Sequence, residues 1–247
     1  MMRPLILSIV IFGTAMDTRT EDLLLDFCGY RWQVSDAPAG KSPGPNIFLA
    51  RNVYLDARDR LVLRINRGGD SWSSSELCLT RALGYERYEI IVEGNPAKLD
   101  PQSVFGFFTY DYSAPPDYRE LDIEFARWGD PEHPGGNYTV QPYTNPENTS
   151  EFSLDLLGIR SLHRIDWFPD RVEFSSHALG RGGWEREVSR FVRTGDRVPD
   201  PGQARLHLNF WLFRGSPPVN GEAQLVRISD FRFTPLDALS ADQAYRE

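Results

Sequence analysis

The sequence predicts an all-β domain, either a β-sandwich or a barrel. Short runs of alternating polar and apolar residues recur along the chain, and a period of two is typical of half-buried strands. Turn residues separate these runs, because 20 glycines and 18 prolines are spread over the 247 residues. Few stretches have the periodicity of a helix.

Ten strands are predicted, at residues 52–55, 60–65, 88–93, 104–110, 121–125, 138–143, 163–167, 171–174, 205–213 and 223–233. In the run 104–110 bulky side chains occur at both odd and even positions, so they would point to both faces of the strand. We therefore expect that strand to be covered on both faces. In the run 205–213, Asn209 and Trp211 share a face that Leu208 and Phe210 do not. One helix is predicted, in the polar tail at residues 237–246.

Composition and charge limit the class of protein. A chain that is 40% hydrophobic and 13% aromatic can bury a sizeable core, and one all-β domain of this length is ordinary. We expect residues 16–247 to form that domain, as a monomer. The net charge of −8 disfavours nucleic acid and anionic membrane surfaces as partners and slightly favours a neutral substrate.

The N-terminus has the order of a secretory signal. Arg3 precedes an apolar run at residues 4–12, and small residues follow at 13–15. Residues 1–15 are therefore predicted to be a signal peptide, with the mature chain beginning near Met16 in a secreted or periplasmic protein. An N-terminal strand or anchor is the alternative, although the run is too short to span a bilayer.

The two cysteines, Cys28 and Cys78, would form one disulfide in an exported protein. The loop closed by this bond would have about fifty residues, and the bond would stabilise the fold by roughly 4 kcal/mol. Two free thiols are the alternative. The four histidines lack the spacing of zinc ligands, so a transition-metal enzyme is not expected.

The residues 118–125 carry the clearest chemical signal. Glu120, Asp122 and Glu124 alternate with Leu121, Ile123 and Phe125, so on a strand the three acids share one face and the apolar residues face a core. At about 6 Å and an effective dielectric constant of about 20, neighbouring carboxylates repel by roughly 3 kcal/mol, which moves a pKa by about two units. Such a row is not fully ionised at neutral pH.

A protonated carboxyl beside an ionised one is what glycoside hydrolysis requires. The Cα atoms of Glu120 and Glu124 would be about 13 Å apart on a strand, and their side chains can bring the carboxyls to roughly 5–6 Å. That separation suits a retaining glycosidase. The alternative is a strand whose polar face is only solvated.

Several motifs in the expected order resemble glycoside hydrolase family 16, the laminarinase- and lichenase-like enzymes. Glu120-Leu121-Asp122-Ile123-Glu124-Phe125 is similar to that family's active strand in its shorter, unbulged form. The other matching segments lie at residues 75–78, 84–89, 107–110, 140–141, 163–167 and 209–211. The resemblance covers residues 27–234 and implies a two-sheet antiparallel β-sandwich, the concanavalin A-like jelly roll.

The resemblance also implies roles for individual residues. It makes Glu120 the nucleophile, Glu124 the acid/base and Asp122 the residue that tunes the pair. The further residues that it implies for sugar binding are Glu76, Tyr118, Gln141, Asn209 and Trp211.

This chain departs from the family at several of these places. Tyr118-Arg119 replaces the common Trp-Asp, and Cys78 stands where Arg is common. The connection at residues 127–136 is longer than usual, and Pro142 interrupts the following strand. These departures predict a specificity different from that of a lichenase.

The activity expected from the resemblance is endo-hydrolysis of a β-glucan-type polysaccharide without a cofactor. Some family members bind a structural calcium ion, but no acidic loop in this sequence demands one. Two alternatives stay open: a lectin-like module that binds glycan without cleaving it, and a transglycosylase that uses the same two glutamates.

Overall fold

Two antiparallel β-sheets packed face to face make up the fold. The computed structural model describes residues 23–153, 159–195 and 198–235. The described residues form eighteen strands: β1 Leu24–Phe27, β2 Tyr30–Val34, β3 Ala37–Lys41, β4 Asn46–Phe48, β5 Val53–Leu55, β6 Leu61–Gly68, β7 Ser71–Ser73, β8 Ser75–Leu79, β9 Glu86–Glu93, β10 Ser103–Tyr110, β11 Glu120–Ala126, β12 Gly135–Val140, β13 Thr149–Ser153, β14 Arg160–Trp167, β15 Arg171–Leu179, β16 Glu185–Thr194, β17 Arg205–Leu212 and β18 Gln224–Thr234.

We call the two layers the front sheet and the back sheet. The front sheet has the strand order β1-β2-β8-β17-β10-β11-β12-β13, and the back sheet has the order β16-β15-β14-β9-β18-β6-β5. The pair β3–β4 forms a small separate sheet, and β7 extends from β6. β11 lies in the interior of the front sheet, paired with β10 on one side and β12 on the other. On the far side of β10 the sheet continues with β17, which is distant in sequence.

All ten predicted strands are present, and the fold class predicted from the sequence is confirmed. The predicted strand at 138–143 ends earlier, at Val140, because Pro142 cannot donate a ladder hydrogen bond. Eight observed strands were not predicted. Most of these are short or carry no clear alternation.

The core lies between the sheets and is built from the alternate side chains of each strand that point inward. Residues of β11 alternate as expected, with Leu121, Ile123 and Phe125 buried against the back sheet. A slip of one residue would turn these three outward and bury the acids. Since each fully buried Leu, Ile or Phe side chain contributes about 1.5–3 kcal/mol, the register of the active strand is strongly fixed.

A buried polar network ties the two sheets together next to β11. The Tyr138 hydroxyl on β12 donates to Ser176 Oγ on β15 at 2.7 Å. The His163 ring lies between Ser176 and Ser161, with nitrogen–oxygen distances of 2.9 and 2.8 Å. Burial lowers the pKa of His163 to about 3, so the ring is neutral and the network adds no buried charge.

The disulfide expected between Cys28 and Cys78 is not formed, and both cysteines are free. Cys28 lies in the turn before β2, where the Phe231 backbone N–H of the back sheet donates to its Sγ at 3.3 Å. Cys78 lies opposite Gln33, which is about 10 Å along the strand from Tyr30, the first residue of β2. A disulfide requires Cα atoms closer than about 7 Å.

Two further expectations fall outside the described residues: the signal peptide at 1–15 and the helix at 237–246. Within the residues that the structure describes, no helix has the length and apolar character needed to cross a membrane.

Candidate active site

The three acids of β11 form a row on the open face of the front sheet. Asp122 is buried and Glu120 and Glu124 are partly exposed, while the intervening apolar residues point into the core. All three carboxyl groups line one cavity of about 460 Å³. The face assignment made from the sequence is therefore confirmed.

Burial and mutual repulsion change the protonation of this row. Burial raises the pKa of Asp122 well above its usual range, and the charges of Glu120 and Glu124 raise it further. Burial raises the pKa of Glu120 above its ordinary value, although a hydrogen bond from Asp122 and the nearby Arg119 cation reduce that rise. Asp122 is thus the protonated partner, and its carboxyl donates to the Glu120 carboxylate.

Glu124 is the second protonated carboxyl at neutral pH. Burial raises its pKa to about 8, and repulsion from Glu120 adds to the shift. The row therefore combines a carboxylate at Glu120 with a proton donor at Glu124, the two species that acid-assisted nucleophilic substitution needs.

Gln141, which the resemblance implied for sugar binding, lies beside the middle acid. It follows β12, and its Nε2 donates to Asp122 Oδ2 at 3.2 Å. Its Oε1 accepts a hydrogen bond from the Tyr143 backbone N–H at 2.9 Å, which fixes the orientation of the side-chain amide.

The strand register places Glu124, Asn209 and Glu76 in one line across the front sheet. Glu124 on β11 is opposite Gly106 on β10, which is opposite Asn209 on β17, and Asn209 is opposite Glu76 on β8. A Cβ atom at Gly106 would lie 2.5 Å from Asn209 Oδ1. The missing side chain at Gly106 thus makes room for Asn209 beside the acid row.

Glu76 is held as a carboxylate at this side of the cavity. Its Oε2 lies 2.8 Å from Lys41 Nζ, and its Oε1 lies 3.5 Å from His207 Nδ1. Burial alone would raise the pKa of Glu76, but His207 and Lys41 together lower it below its ordinary value. Burial lowers the pKa of His207, so that ring is neutral at pH 7.

Trp211 lies at the other side of the cavity and is only 8% exposed. It packs against Trp128, with ring centroids 6.4 Å apart, and Trp128 in turn packs edge-on against Phe213. Trp128 is in the left-handed region at a φ of 51°, in the long connection after β11. This connection thus supports the Trp211 ring, which lines the cavity.

Tyr118 is the predicted sugar-binding residue that the structure does not bring to the row. It ends the short helical turn Pro116–Tyr118 before β11, and its side chain is 42% exposed and away from the cavity lining. Strand alternation does not govern its direction, because β11 begins only at Glu120.

The sequence did not identify seven of the residues that line the cavity: Lys41, Ser42, Pro43, Phe108, Tyr110, Tyr112 and His207. Tyr110 is paired with Glu120 across β10 and β11, and His207 lies two residues before Asn209 on β17. Both therefore lie on the same face of the sheet as the acids, and strand alternation could have identified them. Lys41 and Tyr112 come from β3 and from the loop after β10, and no periodic signal reaches those positions.

A second cavity of about 450 Å³ continues from the first across β8 and β2. The two share Lys41, Glu76, Tyr112 and His207, so they form one groove that runs from the acid row toward β2. Among residues 23–153, 159–195 and 198–235, no group of three His, Cys, Asp or Glu side chains is arranged to hold a metal ion.

Comparison with solved structures gives the same fold. The chain is similar to a beta-glucanase from Bacillus licheniformis (TM-score 0.62, 18% identity, 83% of this chain and 92% of that one). It is also similar to a glycoside hydrolase family 16 endo-glucanase from Bacteroides ovatus (0.57, 13%, 82% and 94%). A third similar structure is a pseudo beta-1,3-glucanase of Mycobacterium tuberculosis (0.58, 22%, 80% and 88%).

No protein-family model matches the chain, and no curated protein matches it significantly in sequence. The structural likeness therefore establishes the jelly-roll fold of these glucanases, at identities too low to transfer an activity.

Proposed function

We propose that this protein is a retaining glycoside hydrolase of family 16 that cleaves a β-glucan-type polysaccharide within its chain. The row Glu120–Asp122–Glu124 in its cavity carries the proposal, because burial divides the row into a carboxylate and proton donors. The fold shared with beta-glucanases supports the same reading. A face that was only solvated would leave its acids open to water, whereas here Asp122 is buried and all three carboxyl groups line one cavity.

The mechanism proposed is a double displacement. The Glu120 carboxylate attacks the anomeric carbon while Glu124 gives its proton to the departing glycosidic oxygen, which leaves a covalent glycosyl-enzyme. Glu124, now ionised, takes a proton from a water molecule that attacks the same carbon and breaks the bond to Glu120. Configuration at the anomeric carbon is retained after two inversions.

Asp122 positions the nucleophile in this scheme. Its proton bonds to Glu120, and its other oxygen accepts from Gln141. When Glu120 departs as a leaving group in the second step, this hydrogen bond stabilises the charge that returns to it.

The groove beyond the acid row suits a polymeric, neutral sugar chain. It combines aromatic rings such as Phe108 and Tyr110 with hydrogen-bonding groups at Glu76 and Asn209. Aromatic faces bind the C–H surfaces of a sugar while polar groups bind its hydroxyls. These residues support a groove that binds several sugar units.

One experiment separates this proposal from its alternatives. The protein is incubated with lichenan, laminarin and xyloglucan, and both new reducing ends and the distribution of chain lengths are measured. Hydrolysis releases reducing ends, whereas transglycosylation redistributes chain lengths without a matching release.

A protein that bound one of these polymers and changed neither quantity would be a binding module, and the hydrolase proposal would be lost. The fold shared with a pseudo beta-1,3-glucanase makes this outcome worth measuring. The variants Glu120→Gln and Glu124→Gln serve as inactive references for the assay.

Export is part of the proposal, because a polymeric substrate lies outside the cell. It rests on the charged, apolar and small-residue order of residues 1–15 and predicts a mature chain that begins near Met16. Mass spectrometry of secreted material measures that terminus. An intact Met1 on cytosolic protein would contradict export and leave the active-site proposal untouched.

A further inference from the structure

Tyr112 lies where three cavities meet. It lines the cavity of the acid row, the second cavity beside β8 and β2, and a third, shallower cavity of about 290 Å³. Its side chain is 65% exposed, so most of the ring is open to a ligand. No catalytic role assigned above uses it.

The loop that carries Tyr112 is anchored at the preceding residue. Asp111 is buried, and its Oδ1 accepts hydrogen bonds from the Ser113 backbone N–H at 2.8 Å and from Ser113 Oγ at 2.6 Å. Its Oδ2 accepts from the Gln203 backbone N–H at 2.9 Å. Burial would raise the pKa of Asp111, but these hydrogen bonds lower it, so the anchor is a carboxylate at neutral pH.

Gly202 lies very close to the Asp111 carboxylate. A Cβ atom there would lie 2.6 Å from Asp111 Oδ2, so the loop before β17 can approach the carboxylate only with glycine at this place. The position of Tyr112 is thus fixed from both sides, by β10 before it and by the Asp111 contacts to Ser113 and Gln203.

Three neighbours orient the Tyr112 ring, one of them His207, whose ring centroid lies 6.0 Å from that of Tyr112. Tyr110 packs against it edge-on, with centroids 4.7 Å apart and planes at 61°. The Arg205 guanidinium lies over it, 5.8 Å from the ring centroid. An exposed aromatic ring on its own is ordinary, but a ring held in place by three neighbours loses little further entropy when it binds a ligand.

Arg205 brings unused hydrogen-bond donors to the same place. Its NH1 donates to Gln33 Oε1 at 3.4 Å, and within the described part of the chain it forms no ion pair with a carboxylate. A guanidinium has five N–H donors in one plane. Those that remain face a groove in which oxygen acceptors would come from a ligand.

From this juxtaposition we propose that Tyr112 and Arg205 form an outer sugar-binding subsite, on the side of the acid row toward β8. One pyranose ring of the substrate stacks its C–H face on Tyr112, and its oxygen atoms accept hydrogen bonds from Arg205. The inference rests on the proposed function, since it names a further place where the glucan chain is held.

The test measures binding separately from cleavage. In a Glu120→Gln background, the affinities of oligosaccharides from laminarin and lichenan, from trisaccharide to hexasaccharide, are measured by calorimetry. Affinity is expected to rise at the length that reaches Tyr112. Tyr112→Ala should remove that rise, by about threefold to tenfold, and leave the affinity of shorter sugars unchanged.

Three further variants complete the design. Tyr112→Phe should keep the rise, because stacking needs the ring and not the hydroxyl. Arg205→Met should lose part of the rise in affinity with oligosaccharide length. Tyr54→Ala removes a half-exposed tyrosine from β5 of the back sheet and should change nothing.

The subsite is refuted if Tyr112→Ala binds every length as tightly as the parent. If Tyr112→Ala proves unstable, a Tyr112→Leu variant decides the same question, because it keeps a larger apolar side chain but removes the ring. A protein that binds the longer sugars through Tyr112 and cleaves none of them would refute the proposed hydrolysis alone. Cleavage with an unchanged length dependence in Tyr112→Ala would refute the subsite alone.

Discussion

The side-chain amide of Gln141 donates to Oδ2 of Asp122 at 3.2 Å, and this contact orients the centre of the acid row. Because Gln141 occupies one carboxyl oxygen, the proton of Asp122 is left for the bond to Glu120. The hydrogen bond from Gln141 lowers the pKa of Asp122, whereas burial and the two glutamates raise it. Gln141 therefore limits how strongly Asp122 holds its proton.

The two glutamates are expected to be essential for hydrolysis and dispensable for folding. Glu120→Gln and Glu124→Gln should each reduce kcat by at least about 10²–10⁴-fold, since each removes a group that the chemistry needs. Asp122→Asn should cost less, because an amide can still donate to Glu120. Rates on the best polysaccharide, together with circular dichroism of each variant, measure this. Exchange of the exposed Glu222 for Gln is the matched control.

The roles of the two glutamates can be distinguished by azide. With Glu124→Ala, an activated aryl glycoside needs little acid assistance and still forms the glycosyl-enzyme, so azide should give a product of retained configuration. With Glu120→Ala, azide enters the vacated face directly and should give the inverted product. NMR of the glycosyl azides reads the configuration. The opposite pair of stereochemistries would exchange the assigned roles.

Activity should be lost at alkaline pH, when Glu124 loses its proton. Its pKa is raised to about 8 by burial and by Glu120, so the proton that assists the leaving group is lost above that pH. We expect kcat/KM to fall with an apparent pKa near 8, which belongs to the coupled row as a whole. A profile that stayed flat to pH 10 would contradict Glu124 as the acid.

The stability of the protein should fall as pH rises, because of Glu124. The pKa of Glu124 is higher in the folded state, so the folded protein binds more protons than the unfolded chain between about pH 4.5 and 8. The free energy of unfolding therefore decreases as pH rises through this range. Glu124→Gln removes the penalty, at about 1.4 kcal/mol per unit of pKa shift.

The measurement for this prediction is Tm at pH 5, 7 and 9. The Tm of Glu124→Gln minus that of the parent should become more positive from pH 5 to pH 9. A difference that did not vary with pH would show that the carboxyl pays no burial penalty in the folded protein.

Both cysteines should titrate as thiols. Burial raises the pKa of Cys28 and of Cys78, so in native protein at pH 7 each should react slowly with a disulfide reagent. After denaturation two thiols per chain are expected without reductant. Finding none in exported protein would restore the disulfide that the sequence suggested and would require β1 and β2 to lie differently.

The sequence was sufficient for the strands with regular alternation. β11 and β17 each have one apolar and one functional face, and periodicity identified both the core side of Ile123 and the cavity side of Asn209. The position of β10 between them did not follow from alternation, since β17 comes almost a hundred residues after β10. The resemblance implied that Asn209 lines the same cleft as the acids, but no strand order was predicted.

The rest of the site depends on contacts between segments whose sequences show no regular alternation of polar and apolar residues. Lys41 reaches Glu76 from a strand with the sequence Ala-Pro-Ala-Gly-Lys, and Tyr112 is positioned by Asp111 contacts to a loop distant in sequence. The disulfide expectation failed for the same reason. Cysteine count alone carries no information on which strand face, and which end of it, each thiol occupies.

The protonated acids Asp122 and Glu124 also have an evolutionary consequence for this scaffold. Replacing them with amides relieves the electrostatic penalty of burial, so mutations that would abolish the proposed hydrolysis can be tolerated or even favoured by selection for stability alone. A glucan-cleaving chain of this fold can thus drift toward a sugar-binding protein without crossing an unstable intermediate. Only a requirement for turnover opposes that drift.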